Sequence, residues 1–110
     1  MTTKVTKNLL NIPKSLTSNG YAQIGDGLIL QWGLTTDDAI SGTVTFPQAF
    51  PNGCLNVVAT CTANPVGNAV RKTLGVGNFS TSGFDYASRL DDGTNPVSGQ
   101  RDFYWQAIGW

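Results

Sequence analysis

The sequence predicts an all-β fold, an antiparallel β-sandwich of about six to eight short strands. Three observations predict it. Turn formers recur at short intervals, with 13 glycines and 5 prolines in 110 residues. The stretches between them are rich in Val, Thr and aromatic residues, which fit a pleated, half-buried surface. Several of those stretches alternate apolar and polar residues with a period of two, the mark of a strand buried on one face.

A chain of 110 residues makes one domain. At that size it buries roughly 65% of its unfolded surface, enough for a packed core without staples. Seven Lys plus Arg offset seven acidic residues, all of them aspartate, and histidine is absent. A neutral chain lacks the basic face that duplex nucleic acid requires. Only 13% of residues are charged, about half the usual share, so part of the surface is expected to lie against partners. No run of about 18 apolar residues provides a transmembrane helix. The start, Met1 to Asn8, lacks the apolar core of a signal peptide. The protein is therefore read as either cytoplasmic or exported by a route the sequence does not show, and assembly into a particle released by lysis fits.

Along the chain, residues 1–19 read as an extended neck or linker and 20–110 as the compact domain. Tyr21–Ile24 and Leu28–Leu34 form a hairpin closed by Gly25, Asp26 and Gly27, where the glycines supply positive φ. In its second arm Leu28, Leu30 and Trp32 share one face, and Ile29 shares the other with Gln31. Residues 35–42 are a polar loop, and Thr43–Phe46 is a short strand ended by Pro47. The segment Pro47–Pro51 is barred from a central strand by its two prolines, and its phenylalanines are expected to plug the end of the core. Leu55, Val57, Ala59, Cys61 and Ala63 form the apolar side of the clearest alternating strand. Cys54 and Cys61 stand at an odd spacing, on opposite faces and about 23 Å apart along that strand. Both are read as free thiols. Asn64–Asn68 is a turn, Val70–Phe79 a strand, Ser80–Gly83 a turn, and Phe84–Leu90 the hairpin partner. The loop Asp91–Gln100 is long enough to carry function. The last strand, Phe103–Trp110, is apolar on both faces: Phe103, Trp105 and Ala107 on one, Tyr104, Ile108 and Trp110 on the other. Such a strand needs cover on its second face. Trp32, Trp105 and Phe84 fit core positions, while Tyr104 and Trp110 suit a subunit interface, where aromatics are enriched.

Four pieces in this order resemble the gp53-like C-terminal tip domain of bacteriophage tail fibres. They are Gly20-Tyr21, Gly27 to Gly33 (Gly-Leu-Ile-Leu-Gln-Trp-Gly), Phe46 to Pro51, and Tyr104 to Trp110. The match covers roughly residues 15–110, and it departs at Ala22 to Asp26, the hairpin tip. The resemblance implies a homotrimeric β-sandwich at the distal end of a virion's tail fibre. It implies contact with the bacterial surface through a polysaccharide or an outer-membrane receptor, and attachment to the rest of the fibre through the N-terminal neck. From the residues themselves, which carry no metal or phosphate motif, no basic face and no long apolar run, no cofactor, no metal, no nucleic acid and no membrane insertion are expected. More distantly, Phe46 to Pro51, Thr81-Ser-Gly-Phe84 and Trp105 to Gly109 are similar to H-type lectins, trimeric sugar binders. In that family an arginine on the strand before the hairpin contacts the sugar, and Arg71 holds the comparable place.

Two readings stand for Arg71. Its planar donor fork suits hydroxyls and carboxylates, and a solvated charge beside Lys72 is the plain alternative. Two readings also stand for residues 89–101. The short polar side chains Asp91, Asp92 and Asn95, flanked by Arg89 and Arg101, suit hydrogen bonding to a polysaccharide, and an ordinary solvated turn is equally consistent. The loop from Asn64 to Arg71 adds Asn68 as a further ligand candidate. Asp37-Asp38 and Asp91-Asp92 read as turn chemistry, since neighbours in sequence point apart and a hard cation wants several converging oxygens.

A receptor-binding tip is the leading function. A structural trimerisation or capping knob without receptor contact is the alternative. An enzyme is disfavoured. Without histidine no Ser-His or Cys-His nucleophile system is available, and the aspartates sit in turns rather than as a converging pair.

Overall fold

The computed structural model describes residues 14–36, 39–62, 71–91 and 102–110. Eight strands run in order: β1 (Lys14–Ser15), β2 (Gly20–Ile24), β3 (Leu28–Thr35), β4 (Ser41–Thr45), β5 (Cys54–Cys61), β6 (Arg71–Gly77), β7 (Gly83–Asp91) and β8 (Phe103–Gly109). They form two antiparallel sheets, one ordered β1-β2-β3-β8-β5 and the other β4-β7-β6. The expected sandwich is therefore present. β1 lies within the stretch read as neck and pairs with β2, Lys14 opposite Ala22 and Ser15 opposite Tyr21.

The core fills the space between the two sheets. Ile29, Val57, Phe103, Trp105 and Ala107 enter it from the larger sheet, Val44, Phe84 and Tyr86 from the smaller, and Phe46 and Phe50 from the connection between β4 and β5. Phe46 meets Phe50, Trp105 and Phe84 at ring-centroid distances of 5.0, 5.6 and 5.9 Å. Tyr86 and Phe103 form a further edge-on pair at 4.9 Å. Tilted and edge-on pairs of this kind each add about 0.5–1.5 kcal/mol beyond area burial. The Phe-Pro segment thus closes one end of the core, as its prolines and phenylalanines predicted. Phe84 and Trp105 occupy the core positions assigned to them.

Three expectations are corrected. Trp32 is only half-buried, on the outer face of β3, with its indole Nε1 donating to the Thr17 carbonyl at 2.8 Å. The buried face of β3 is the other one, Ile29, Gln31 and Gly33. Gly33 faces inward with them, and a Cβ there would sit 2.6 Å from the Trp105 ring and would also strike Asn19 Oδ1. Leu55, assigned to the buried side of β5, is exposed. The register against β8 shifts between Cys54 and Asn56, and this bulge expels Leu55 from the alternation. The same bulge reverses the parity of the cysteines. Cys54 lies opposite Gly109 and Cys61 opposite Phe103, so both face inward, from opposite ends of β5. Both thiols are free, and burial pushes the Cys54 thiol above its ordinary value, against a smaller opposing effect of the Asn56 backbone.

Candidate functional site

The strand registers sort the connections into two ends. Ile24 pairs with Leu28, Ile29 with Gly109, Cys54 with Gly109 and Thr45 with Gly83. The Gly25–Gly27 turn, connections 46–53 and 78–82 and Trp110 therefore share one end. Thr35 and Cys61 both pair with Phe103, and Arg71 pairs with Asp91. Connections 36–40, 62–70 and 92–102 therefore share the other.

At the first end, Trp110 accepts from the backbone N–H groups of Asn52 and Gly53 at 2.6 and 3.0 Å and donates back to Gly53 at 3.0 Å. Gly25 and Gly27 hold φ of 70° and 83°, values that a Cβ would penalise. On the outer surface of the smaller sheet near this end, Asp85 accepts from Thr43 Oγ1 at 2.7 Å and from Asn78 Nδ2 at 2.9 Å. The Thr43 bond, then the Asn78 bond, hold its carboxyl below the ordinary aspartate value, and slight desolvation opposes them.

Of the residues singled out in the sequence, the second end carries Arg71, Arg89 and Asp91. Arg71 and Asp91 lie directly opposite each other, the outermost pair of the β6–β7 hairpin; for both, only the backbone is described. Arg89 is exposed on β7 and faces Thr73. Asn68, Asp92, Asn95 and Arg101 lie outside the described residues. The aspartate pair at 37–38 also lies outside them. At this end Lys72 Nζ donates to the Thr62 carbonyl at 2.5 Å, while Thr62 donates through its N–H and Oγ1 to the Asp102 carbonyl at 3.1 and 3.2 Å. One threonine therefore ties the roots of connections 62–70 and 92–102 to each other and to β6. Among the described residues, no group of three or more His, Cys, Asp or Glu is placed to hold a metal ion.

Residues 23–110 match the family described as "Putative tail fiber protein gp53-like, C-terminal". The chain belongs to this family. The R1-type pyocin tail fibre, in an N-truncated structure, superimposes with a TM-score of 0.69 at 26% identity, covering 100% of this chain and 97% of that one. A longer R1 pyocin fibre from P. aeruginosa gives a TM-score of 0.71 at 25% identity, covering 100% of this chain and 32% of the fibre. A P. aeruginosa R2 pyocin fibre gives 0.67 at 27% identity, covering 90% and 26%. In sequence, the uncharacterized protein MJ0347 of Methanocaldococcus jannaschii is 35% identical over 98 residues, and the match spans 84% of this chain but 63% of that protein.

In this gp53-like tail-fibre domain the sequence reading missed the Thr62 clamp and the inward Gln31. Thr62 gave no warning, being one of many threonines. Gln31 did carry a clue, since it shares its face with Ile29 and with Gly33, the glycine that lets Trp105 approach.

Proposed function

We propose that this tail-fibre domain is the receptor-binding tip, attaching the fibre to a glycan of the bacterial surface. One observation carries the reading. β1 runs antiparallel to β2, and β2 runs toward the Gly25–Gly27 turn, so β1 itself points away from that end. The strand ends that bear connections 36–40, 62–70 and 92–102 lie at the opposite end, and in this reading they face away from the fibre. Every ligand candidate of the sequence lies on these connections or at the strand ends that bear them: Asn68, Arg71, Arg89, Asp91, Asp92, Asn95 and Arg101. Long loops on a rigid sandwich are where binding residues concentrate.

The outer face of the larger sheet supports assembly into a homotrimer. Tyr104, Val58, Ile24 and Leu28 are 58%, 56%, 42% and 37% exposed, and Trp32 and Ile108 lie beside them, half-covered. An apolar sheet face of this extent calls for a partner. A threefold axis then presents three equal loop sets, and weak single-site binding gains roughly 10²–10⁴-fold from multivalency. The fibre tip belongs to the virion, its neck joins the rest of the fibre, and its work is binding without catalysis. The same apolar face favours a second reading, a structural knob that caps the fibre and touches no receptor.

Binding of the labelled, light-scattering-verified trimer to a panel of Gram-negative strains and their polysaccharide mutants tests the proposal. Binding lost with one surface structure supports the tip. No binding to any strain by an intact trimer removes the tip and leaves the knob.

A further inference from the structure

A cleft of about 430 Å³ opens between the free edge of β4 and the turn that precedes β2. Its volume lies within the range of small-molecule sites. Its walls include Asn19, Thr35, Thr36, Thr45, Leu34 and Pro47, and among the described residues no charged side chain lines it. Asn19 is held in place, its Oδ1 accepting from the Leu34 N–H at 3.0 Å. That bond fixes the amide so that its Nδ2 is left as a donor. Among the described residues the hydroxyls of Thr35, Thr36 and Thr45 make no hydrogen bond. Each is at once a donor and an acceptor.

The strand edge adds backbone groups. Ser88 donates to the Ile40 carbonyl and Phe46 to that of Ser82, which sets the alternation along the β4–β7 ladder. Positions 42 and 44 therefore bond β7, while the N–H and C=O of Thr43 and Thr45 turn away from it. β4 is the last strand of its sheet, so these groups have no strand partner. Trp105 and Tyr86 also line the cleft, and Gly33 lets Asn19 Oδ1 and the Trp105 ring approach where a Cβ would strike both.

We infer that this cleft is a binding site for a neutral saccharide unit of one or two rings, held by the Asn19 amide, the threonine hydroxyls and the free edge of β4. The chemistry selects the class. An anion would find no cation in the lining, and a purely apolar ligand would strand several polar groups at a cost. A polyol meets mixed donors and acceptors with its own. None of the residues lining the cleft is among the ligand candidates Arg71 and 89–101, and the inference rests on the receptor-binding reading only for its biological role.

The test uses the intact domain, isotope-labelled for amide NMR, titrated with glucose, galactose, rhamnose and N-acetylglucosamine, with glucuronic acid as a charged control. The expected result is shifts centred on Asn19, Thr35, Thr36, Thr45 and the Trp105 indole for at least one neutral sugar and none for the acid. The double variant Thr35→Val, Thr45→Val keeps shape and strand propensity while removing two hydroxyls. It should weaken the sugar response by about tenfold or more, the worth of one to two hydrogen bonds. No response to any neutral sugar, shifts elsewhere, or a double variant that responds like the parent each overturns the site. A double variant whose oligomeric mass falls also overturns it, because the cleft then seats a second copy. Cell binding separates the two ideas. A parent that responds at the cleft yet binds no strain defeats the receptor reading alone. A parent that binds cells without any response at the cleft defeats this inference alone.

Discussion

The side chain of Gln31 and the backbone of Gln48 form a closed two-point hydrogen-bonded pair. Gln31 Nε2 donates to the Gln48 carbonyl at 2.5 Å, and the Gln48 N–H donates to Gln31 Oε1 at 3.0 Å. Gln31 is fully buried, and this pairing supplies both halves of its amide with a partner. It fastens the Phe-Pro segment, whose prolines withhold donors, to the centre of the larger sheet.

Removing that pair leaves the Gln48 groups unmatched. Gln31→Leu should destabilise the domain by about 2 kcal/mol, roughly two net hydrogen bonds, read as a lower urea midpoint at unchanged slope. Gln31→Glu should cost more near neutrality, since its carboxylate is desolvated and faces the Gln48 carbonyl. Burial raises the folded-state value of that acid above the unfolded one. The penalty is therefore present above the folded value and is relieved as pH falls through it. The gap in urea midpoint from the parent should narrow between about pH 7 and about pH 5. A gap that widens would show that the glutamate is solvated and the pairing dispensable.

Gly33 is the position at which the smallest side chain is already too large. Gly33→Ala places a Cβ against Trp105 and Asn19 and should cost about 1–3 kcal/mol by overpacking. Thermal unfolding checks it. A melting temperature equal to the parent's would mean that Trp105 moves freely.

If the larger sheet's outer face joins subunits, a charge at its centre will part them. Val58→Lys and Tyr104→Lys alter exposed side chains and should leave the strand content of the circular-dichroism spectrum unchanged. The mass by light scattering should drop from trimer to monomer. An unchanged mass would move the interface elsewhere.

Arg71→Ala should preserve fold and assembly while weakening binding to a strain that the parent recognises. Loss of one charge-assisted contact predicts a fall of roughly tenfold or more. Equal binding would take Arg71 out of the site.

Asp85 offers a check on electrostatics. Its folded-state value lies below the ordinary 3.8, through Thr43 first and Asn78 second. A depressed acid contributes stability above its unfolded value, and that contribution is lost as pH falls through the folded one. Carbon-detected titration should place the Asp85 midpoint below 3.8 in the parent and bring it back toward that value in Thr43→Val. No movement in the variant would remove the hydroxyl as the cause.

Much of the architecture was legible from periodicity. The hairpin closed by Gly25 and Gly27, the alternation of β8 and the Phe-Pro plug were readable because turn chemistry and period two are local properties. The bulge at Leu55 was not, since a bulge is defined by what the partner strand does. For the same reason the inward parity of both cysteines stayed hidden. The hairpin between β6 and β7 was foreseeable, but not that Lys72 near its open end donates to Thr62 at the end of β5.

The sequence by itself determined the class of fold and, through its motifs, the tail-fibre family, because residue order encodes propensity, turn type and strand spacing. Which face of β3 is buried was a tertiary decision. Hydrophobicity ranks Trp32 and Leu30 above Gln31, yet Gln31 is the one inside, because Gln48 satisfies its amide and Gly33 admits Trp105 only on that face. The Thr62 tie between β6 and Asp102, and the cleft beside β4, were likewise decided by strand pairing over long separations, where the contacts depend on how the two sheets meet.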